Sequence, residues 1–121
     1  MRIALCSKGK ELTSEVDDRF GRASYFLVYD TESSNITVIE NSAKSASGGA
    51  GGLAVQQIID AGGELVVAPE VGPQALDALN KFGIPAFKQG DAKTVAAVIA
   101  AWEKGALEKV EKPGNKGLHK A

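Results

Sequence analysis

Apolar positions fall in short β-like runs over the first third of the chain and take helical spacing from there on. Residues 2–6, from Arg2 through Ile3, Ala4 and Leu5 to Cys6, predict a strand buried on at least one face. Residues 8–18 are polar and read as a loop. Residues 23–30 and 35–40 are rich in aromatic and β-branched side chains, among them Tyr25, Phe26, Val28, Ile36 and Val38. The Thr31, Glu32, Ser33 and Ser34 connection between them is short enough for a hairpin. From Gly52 the period changes. Leu53, Val55, Ile58 and Ile59 have helical spacing, Gly62 and Gly63 stop that helix, and Leu65, Val66, Val67 and Ala68 read as a buried strand. Pro73 after Gly72 suits a helix's first turn, with Ala75, Leu76 and Leu79 as the apolar stripe and Gly83 as the stop. A short strand is expected over residues 84–87. Asp91 is expected to cap a last helix carrying Val95, Val98, Ile99 and Trp102 and ended by Gly105.

The order β-β-β-α-β-α-β-α predicts an α/β fold. Its five-stranded mixed sheet would have the first three strands antiparallel, the later ones joining in parallel through right-handed crossovers, and three helices covering it. A chain of 121 residues fits one domain, able to bury roughly two-thirds of the surface its unfolded form exposes. That domain is expected over residues 1–105. Residues 106–121 are lysine-rich and interrupted by Pro113, Gly114 and Gly117, and are expected to form a loosely ordered tail. A net charge of -1 gives no reason to expect nucleic acid as a partner. No window approaches the ~20 consecutive apolar residues of a membrane span. The lone Cys6 cannot form an internal disulfide and the N-terminus lacks a signal-peptide pattern, so the cytoplasm is the expected compartment.

Candidate chemistry concentrates in two places. Asp17, Asp18, Arg19, Phe20, Gly21 and Arg22 form a short charged turn, with two arginines either side of an apolar anchor and a flexible residue. Residues 45–52, a stretch of Ser, Ala and Gly, then open a helical pattern. Backbone N–H groups at a helix start lack internal partners and lie at the positive end of the helix dipole, so both features suit an anion. Equally, the glycines could simply mark a turn, and the arginines could pair with Asp17 and Asp18. In α/β sheets ligands gather at the carboxyl ends of strands, where Cys6, Ser7, the 42–52 loop, Glu70, Val71 and Gly72 would converge.

Several familiar chemistries lack their context. Gly49, Gly51 and Ala54 match a loose dinucleotide fingerprint, but a polar loop separates them from the preceding strand. No Gly-Lys-Ser/Thr ending makes a nucleotide-hydrolase P-loop. Cys6 and the distant His119 do not supply the four ligands of a tetrahedral zinc site, and Cys6 reads first as a small buried hydrophobe.

The combination of Val16, Asp17, Arg19, Phe20, Gly21, Arg22, Ala23, Tyr25 and Phe26 with Asn41, then Gly48 to Gly51, then Val71, Gly72, Pro73 and Ala75, then Gly83, Ile84 and Gly90 resembles the dinitrogenase iron-molybdenum cofactor biosynthesis family. That family includes NifX-type carriers, the C-terminal domain of NifB and the orange protein of sulfate reducers, which holds a molybdenum-copper sulfide cluster. The resemblance runs from Met1 to about Leu107 and implies a ribonuclease H-like α/β fold. It also implies non-catalytic carriage of an anionic metal-sulfur cluster, of the iron-molybdenum cofactor precursor or molybdenum-copper sulfide type, exchanged with cluster donor or acceptor proteins. Arg19, Arg22, Ser47, Gly48, Gly49, Ala50, Gly51 and Gly72 are the residues expected to bind it. Cys6 is the one candidate soft metal ligand, since the core lacks histidine. A ribonuclease H-like fold also raises a two-metal nuclease, but Arg2, Ala4 and Cys6 put no acid on the first strand. A regulatory or scaffold module that binds a protein partner through the same surface is the remaining alternative.

Overall fold

The computed structural model describes residues 1–43 and 49–111. Five strands form one mixed sheet: β1 (Arg2–Ser7), β2 (Tyr25–Asp30), β3 (Ile36–Glu40), β4 (Leu65–Ala68) and β5 (Ala86–Lys88). Three helices complete the fold, α1 (Ala50–Asp60), α2 (Pro73–Lys81) and α3 (Val95–Glu103). The strand order is β3-β2-β1-β4-β5. β1 pairs antiparallel with β2 and β2 with β3, while β4 joins β1 in parallel and β5 joins β4 in parallel. This is the mixed α/β sheet that the element order predicts.

β1 sits at the centre, which explains why it is apolar at almost every position. Its period-2 alternation sends Ala4 and Cys6 to one face and Ile3 and Leu5 to the other. Ala4 and Cys6 join Phe26, Val28, Val66 and Ala68 in a cluster capped by Val55 and Ile58 of α1 and Leu76 and Leu79 of α2. Ile3 and Leu5 join Leu27, Leu65 and Val67 under Val95, Val98 and Ile99 of α3. α1 and α2 therefore share one face of the sheet and α3 covers the other.

Three local expectations are corrected. The helix cap at the start of α3 is Thr94, not Asp91: Thr94 Oγ1 accepts from Ala97 N at 3.2 Å. An isolated bridge between Glu15 and Thr94 brings the 8–18 loop alongside, so Val95 N and Ala96 N donate to Ser14 O and Leu12 O and the helix starts there. The last strand begins at Ala86 rather than at Ile84, whose side chain packs in the α1 and α2 cluster and whose N–H bonds back to Leu79 O. Residues 106–111, expected in a loose tail, run beside β5. Lys88 N donates to Glu108 O and Val110 N to Ala86 O, both at 2.8 Å, and Val110 is buried. A lysine-rich composition hides two apolar positions, Leu107 and Val110, that cover the last sheet edge and blunt it against pairing with another chain.

Candidate functional site

The charged turn between β1 and β2 is organised by a buried acid. Asp17 is 1% exposed and its carboxylate accepts from Arg19 N at 3.1 Å, Ser24 N at 3.2 Å, Arg19 Nε at 3.2 Å and Arg19 Nη2 at 3.4 Å. The bond from Asp17 to the amide two residues on is an Asx turn. Burial pushes the Asp17 carboxyl up, but the Arg19 side-chain hydrogen bond, the two backbone N–H groups and the Arg19 charge together outweigh it and hold it below the usual carboxylate range. Arg19 thus forms a two-pronged ion pair with Asp17 while its side chain stays 62% exposed. Arg22 is also exposed, on the far side of Gly21. Phe20 between them is buried and packs its ring 5.6 Å from that of Phe26, which pins the turn to the sheet.

A second buried polar residue holds the same turn from below. Asn41, 0% exposed, donates through Nδ2 to Gly21 O at 3.0 Å and Ala23 O at 2.9 Å. Its Oδ1 accepts from Ala43 N at 2.9 Å and from Gln57 Nε2 of α1 at 2.8 Å. Gln57 Oε1 in turn accepts from Ser42 N.

The turn abuts two helix starts. A Cβ on Gly21 would lie 3.2 Å from Gly51 N, and one on Gly51 would lie 3.2 Å from Ala75 Cβ and 3.3 Å from Ala75 N. The absence of side chains is what lets the turn, the first turn of α1 and the first turn of α2 approach this closely. Between them lies a cavity of about 340 Å³, whose lining includes Phe20, Gly21, Gly51, Glu70, Gly72 and Gln74. Glu70 also borders a neighbouring cavity of about 500 Å³ at the ends of β4 and β5, shared with Asp18, Lys88 and Asp91.

Neither helix start is capped by a side chain, and neither has an acid in its first turn. The first backbone bonds are Leu53 N to Gly49 O in α1 and Leu76 N to Gly72 O in α2. Among the described residues nothing else accepts from the N–H groups of Ala50, Gly51, Gly52, Gln74 and Ala75. α3 differs, because Leu12, Ser14 and Thr94 satisfy its first turn.

Of the expected binding residues, Gly51 and Gly72 line the cavity. Gly49 is the residue preceding α1, in the left-handed region at φ 69°, and Ala50 is the first residue of the helix. Arg19 and Arg22 belong to the adjoining turn and are not part of the cavity wall. Ser47 and Gly48 lie outside the described residues. Cys6 is 1% exposed, within the core cluster that also holds Phe20, Val71 and Ala75. Burial first, and the Asp17 charge second, push its thiol well above the ordinary thiol range, so it stays neutral. Among the described residues no group of three His, Cys, Asp or Glu side chains is placed to hold a metal ion. No helix there is long and apolar enough to cross a membrane. Reading the residues one at a time missed the role of Asn41 with Gln57. Its signal was an amide directly after an apolar strand, facing a helical Gln sixteen residues on, which becomes informative only once the two elements are packed.

Comparisons with known proteins agree with this arrangement. The chain is 33% identical to the apo form of the orange protein from Desulfovibrio gigas, with a TM-score of 0.89 over 95% of this chain and 96% of that one. It is 38% identical to a Thermotoga protein with a provisional NifB designation, with a TM-score of 0.82 over 96% and 98% of the two chains. An uncharacterized protein of Methanocaldococcus jannaschii is 27% identical over 114 residues, 92% of each chain. The sequence pattern of the dinitrogenase iron-molybdenum cofactor family matches residues 1–105. The chain, built around a glycine-lined junction of one turn and two helix starts, therefore belongs to the dinitrogenase iron-molybdenum cofactor family.

Proposed function

We propose that this protein is a cytoplasmic carrier that binds an anionic metal-sulfur cluster at the junction of the 17–24 turn with the first turns of α1 and α2. It performs no reaction on its cargo. The observation that carries this reading is the pair of uncapped helix starts opening on one cavity, with N–H groups of Gly51, Gly52, Gln74 and Ala75 left without acceptors among the described residues. Such groups, at the positive ends of two helix dipoles, suit the soft, negatively charged sulfurs of a thiometallate or cluster. Arg19 and Arg22 add positive charge at the rim. The Asp17 partner neutralises part of the Arg19 charge and fixes its position.

Cargo of the iron-molybdenum cofactor precursor or molybdenum-copper sulfide type is supported by the family and by the likeness to the orange protein. Cluster donor and acceptor proteins would be the partners. The neutral, buried Cys6 favours retention by hydrogen bonds and charge over thiolate ligation. Three antiparallel strands followed by two parallel strands in the order β3-β2-β1-β4-β5, with helices on both faces, also support reading the fold as ribonuclease H-like.

The test is a titration of the apo protein with tetrathiomolybdate, with and without copper(I), followed by visible absorbance and amide NMR. A new visible band with shifts confined to Gly21, Ala50 to Gly52 and Gly72 to Ala75 is the expected result. No band and no localised shift would overturn the thiometallate reading and favour a surface for a protein partner.

A further inference from the structure

We propose that Asn41 is a positioning residue of this junction, one that sets the spacing between the charged turn and the first turn of α1. The inference rests on the cluster-binding reading and adds to it the element that keeps the cavity in shape. Asn41 follows β3 on the outer side of the sheet, remote in sequence from both walls it holds. Its buried amide makes four hydrogen bonds to three segments: Gly21 O and Ala23 O in the turn, Ala43 N at the loop entrance, and Gln57 Nε2 on α1. The two carbonyls it holds flank Arg22. The carbonyl of Gly21 belongs to the residue whose Cα lies against Gly51 N. Asp17 holds N–H groups of the turn and Asn41 holds its carbonyls, so the turn is clamped by its donors from one side and its acceptors from the other. Among the described residues, Asn41 links that clamp through Gln57 to α1, whose Gly51 lines the cavity.

No charged side chain or hydroxyl replaces this arrangement. A carboxylate at position 41 could still accept from Ala43 and Gln57, but it would face the Gly21 and Ala23 carbonyls with no proton to offer. The turn would then move off α1 and the backbone donors would no longer converge on one ligand.

The experiment compares tetrathiomolybdate affinity in wild-type protein, Asn41→Asp, Gln57→Ala and Val98→Ala, with amide NMR of each apo protein. Val98 is a buried residue of α3 on the opposite face and serves as the control for general destabilisation. Asn41→Asp is expected to weaken binding at least about tenfold, the change that 1.4 kcal/mol makes in an equilibrium, and to shift the Gly21, Ala23 and Gly51 amides. Gln57→Ala, which removes one anchor from a partly exposed helix position and leaves the core intact, is expected to shift the Gly21 and Gly51 amides in the same direction with a smaller loss of affinity. Val98→Ala is expected to lower stability with wild-type affinity. Wild-type affinity in folded Asn41→Asp, unmoved Gly21 and Gly51 amides in Gln57→Ala, or an equal affinity loss in Val98→Ala would each overturn the inference. If the wild-type protein itself fails to bind, the cluster reading falls and this inference with it; binding by the wild type with unaltered variants removes the inference alone.

Discussion

At the residue scale, Asp17 shows how a charged motif read along the chain acquires a different meaning in space. Asp17 and Arg19 look like a surface pair in the sequence. In the fold the carboxylate is buried and orders the turn, while the guanidinium remains outside. Replacing Asp17 with Ala strands two backbone donors and releases Arg19, and is expected to cost about 2 to 3 kcal/mol in a urea unfolding experiment. The pH dependence follows from the same contacts. A carboxyl held below its unfolded value contributes stability that is present above the unfolded pKa of about 4 and is lost as pH falls through the lower folded value. Urea midpoints measured from pH 6 downward should therefore fall on the acid side of about pH 4 in the wild type, and Asp17→Asn should flatten that limb. An unchanged slope in the variant would place the acid sensitivity elsewhere. What was legible here was the residue set; which member was buried depended on β1 and β2 closing around it.

At the element scale, the helix starts divide into two kinds. α3 satisfies its first turn through Thr94, Ser14 and Leu12, so its cap is structural. Thr94→Ala is expected to lower stability by about 1 kcal/mol with no effect on ligand binding, as read by thermal unfolding alongside the thiomolybdate titration. Among the described residues no side chain caps α1 or α2, and their first turns lie against one another. Within α1 the two neighbouring glycines make opposite predictions. Gly51 has Ala75 backbone and side chain against it, whereas a Cβ on Gly52 would meet nothing within 4 Å. Gly51→Val should push α1 and α2 apart, cost about 1 to 3 kcal/mol and weaken binding. Gly52→Ala should stabilise by about 0.5 to 1 kcal/mol, because alanine loses less backbone entropy in a helix than glycine. Equal effects at the two positions would contradict the close approach. The glycine stretch announced a helix start in the sequence, but the partner at 3.2 Å belongs to a helix more than twenty residues later, which no local pattern contains.

At the scale of the whole molecule, the two edges of the sheet are treated differently. β3 ends one side, and the other side is closed by residues 107–110 laid along β5. Ending the chain at Gly105 would expose the β5 edge, remove the Val110 side chain from the α1 and α2 cluster and break two backbone bonds with β5. A loss of about 2 to 4 kcal/mol is expected from one buried valine and those bonds, measured by chemical denaturation of the shortened chain. Wild-type stability would show that the segment adds nothing to the core. The sequence by itself determined the element order, the burial of the first strand on at least one face, and the glycine and arginine positions that suit either an anion or a plain turn. Period, glycine stops and residue type are local properties that survive without tertiary contacts. Tertiary structure alone decided that Asp17 and Asn41 would be buried, that Thr94 would cap α3, and that the starts of α1 and α2 would meet beside Gly21. Each of those outcomes depends on distances between segments far apart in the chain, and such distances are set by packing helices and loops on both faces of the sheet.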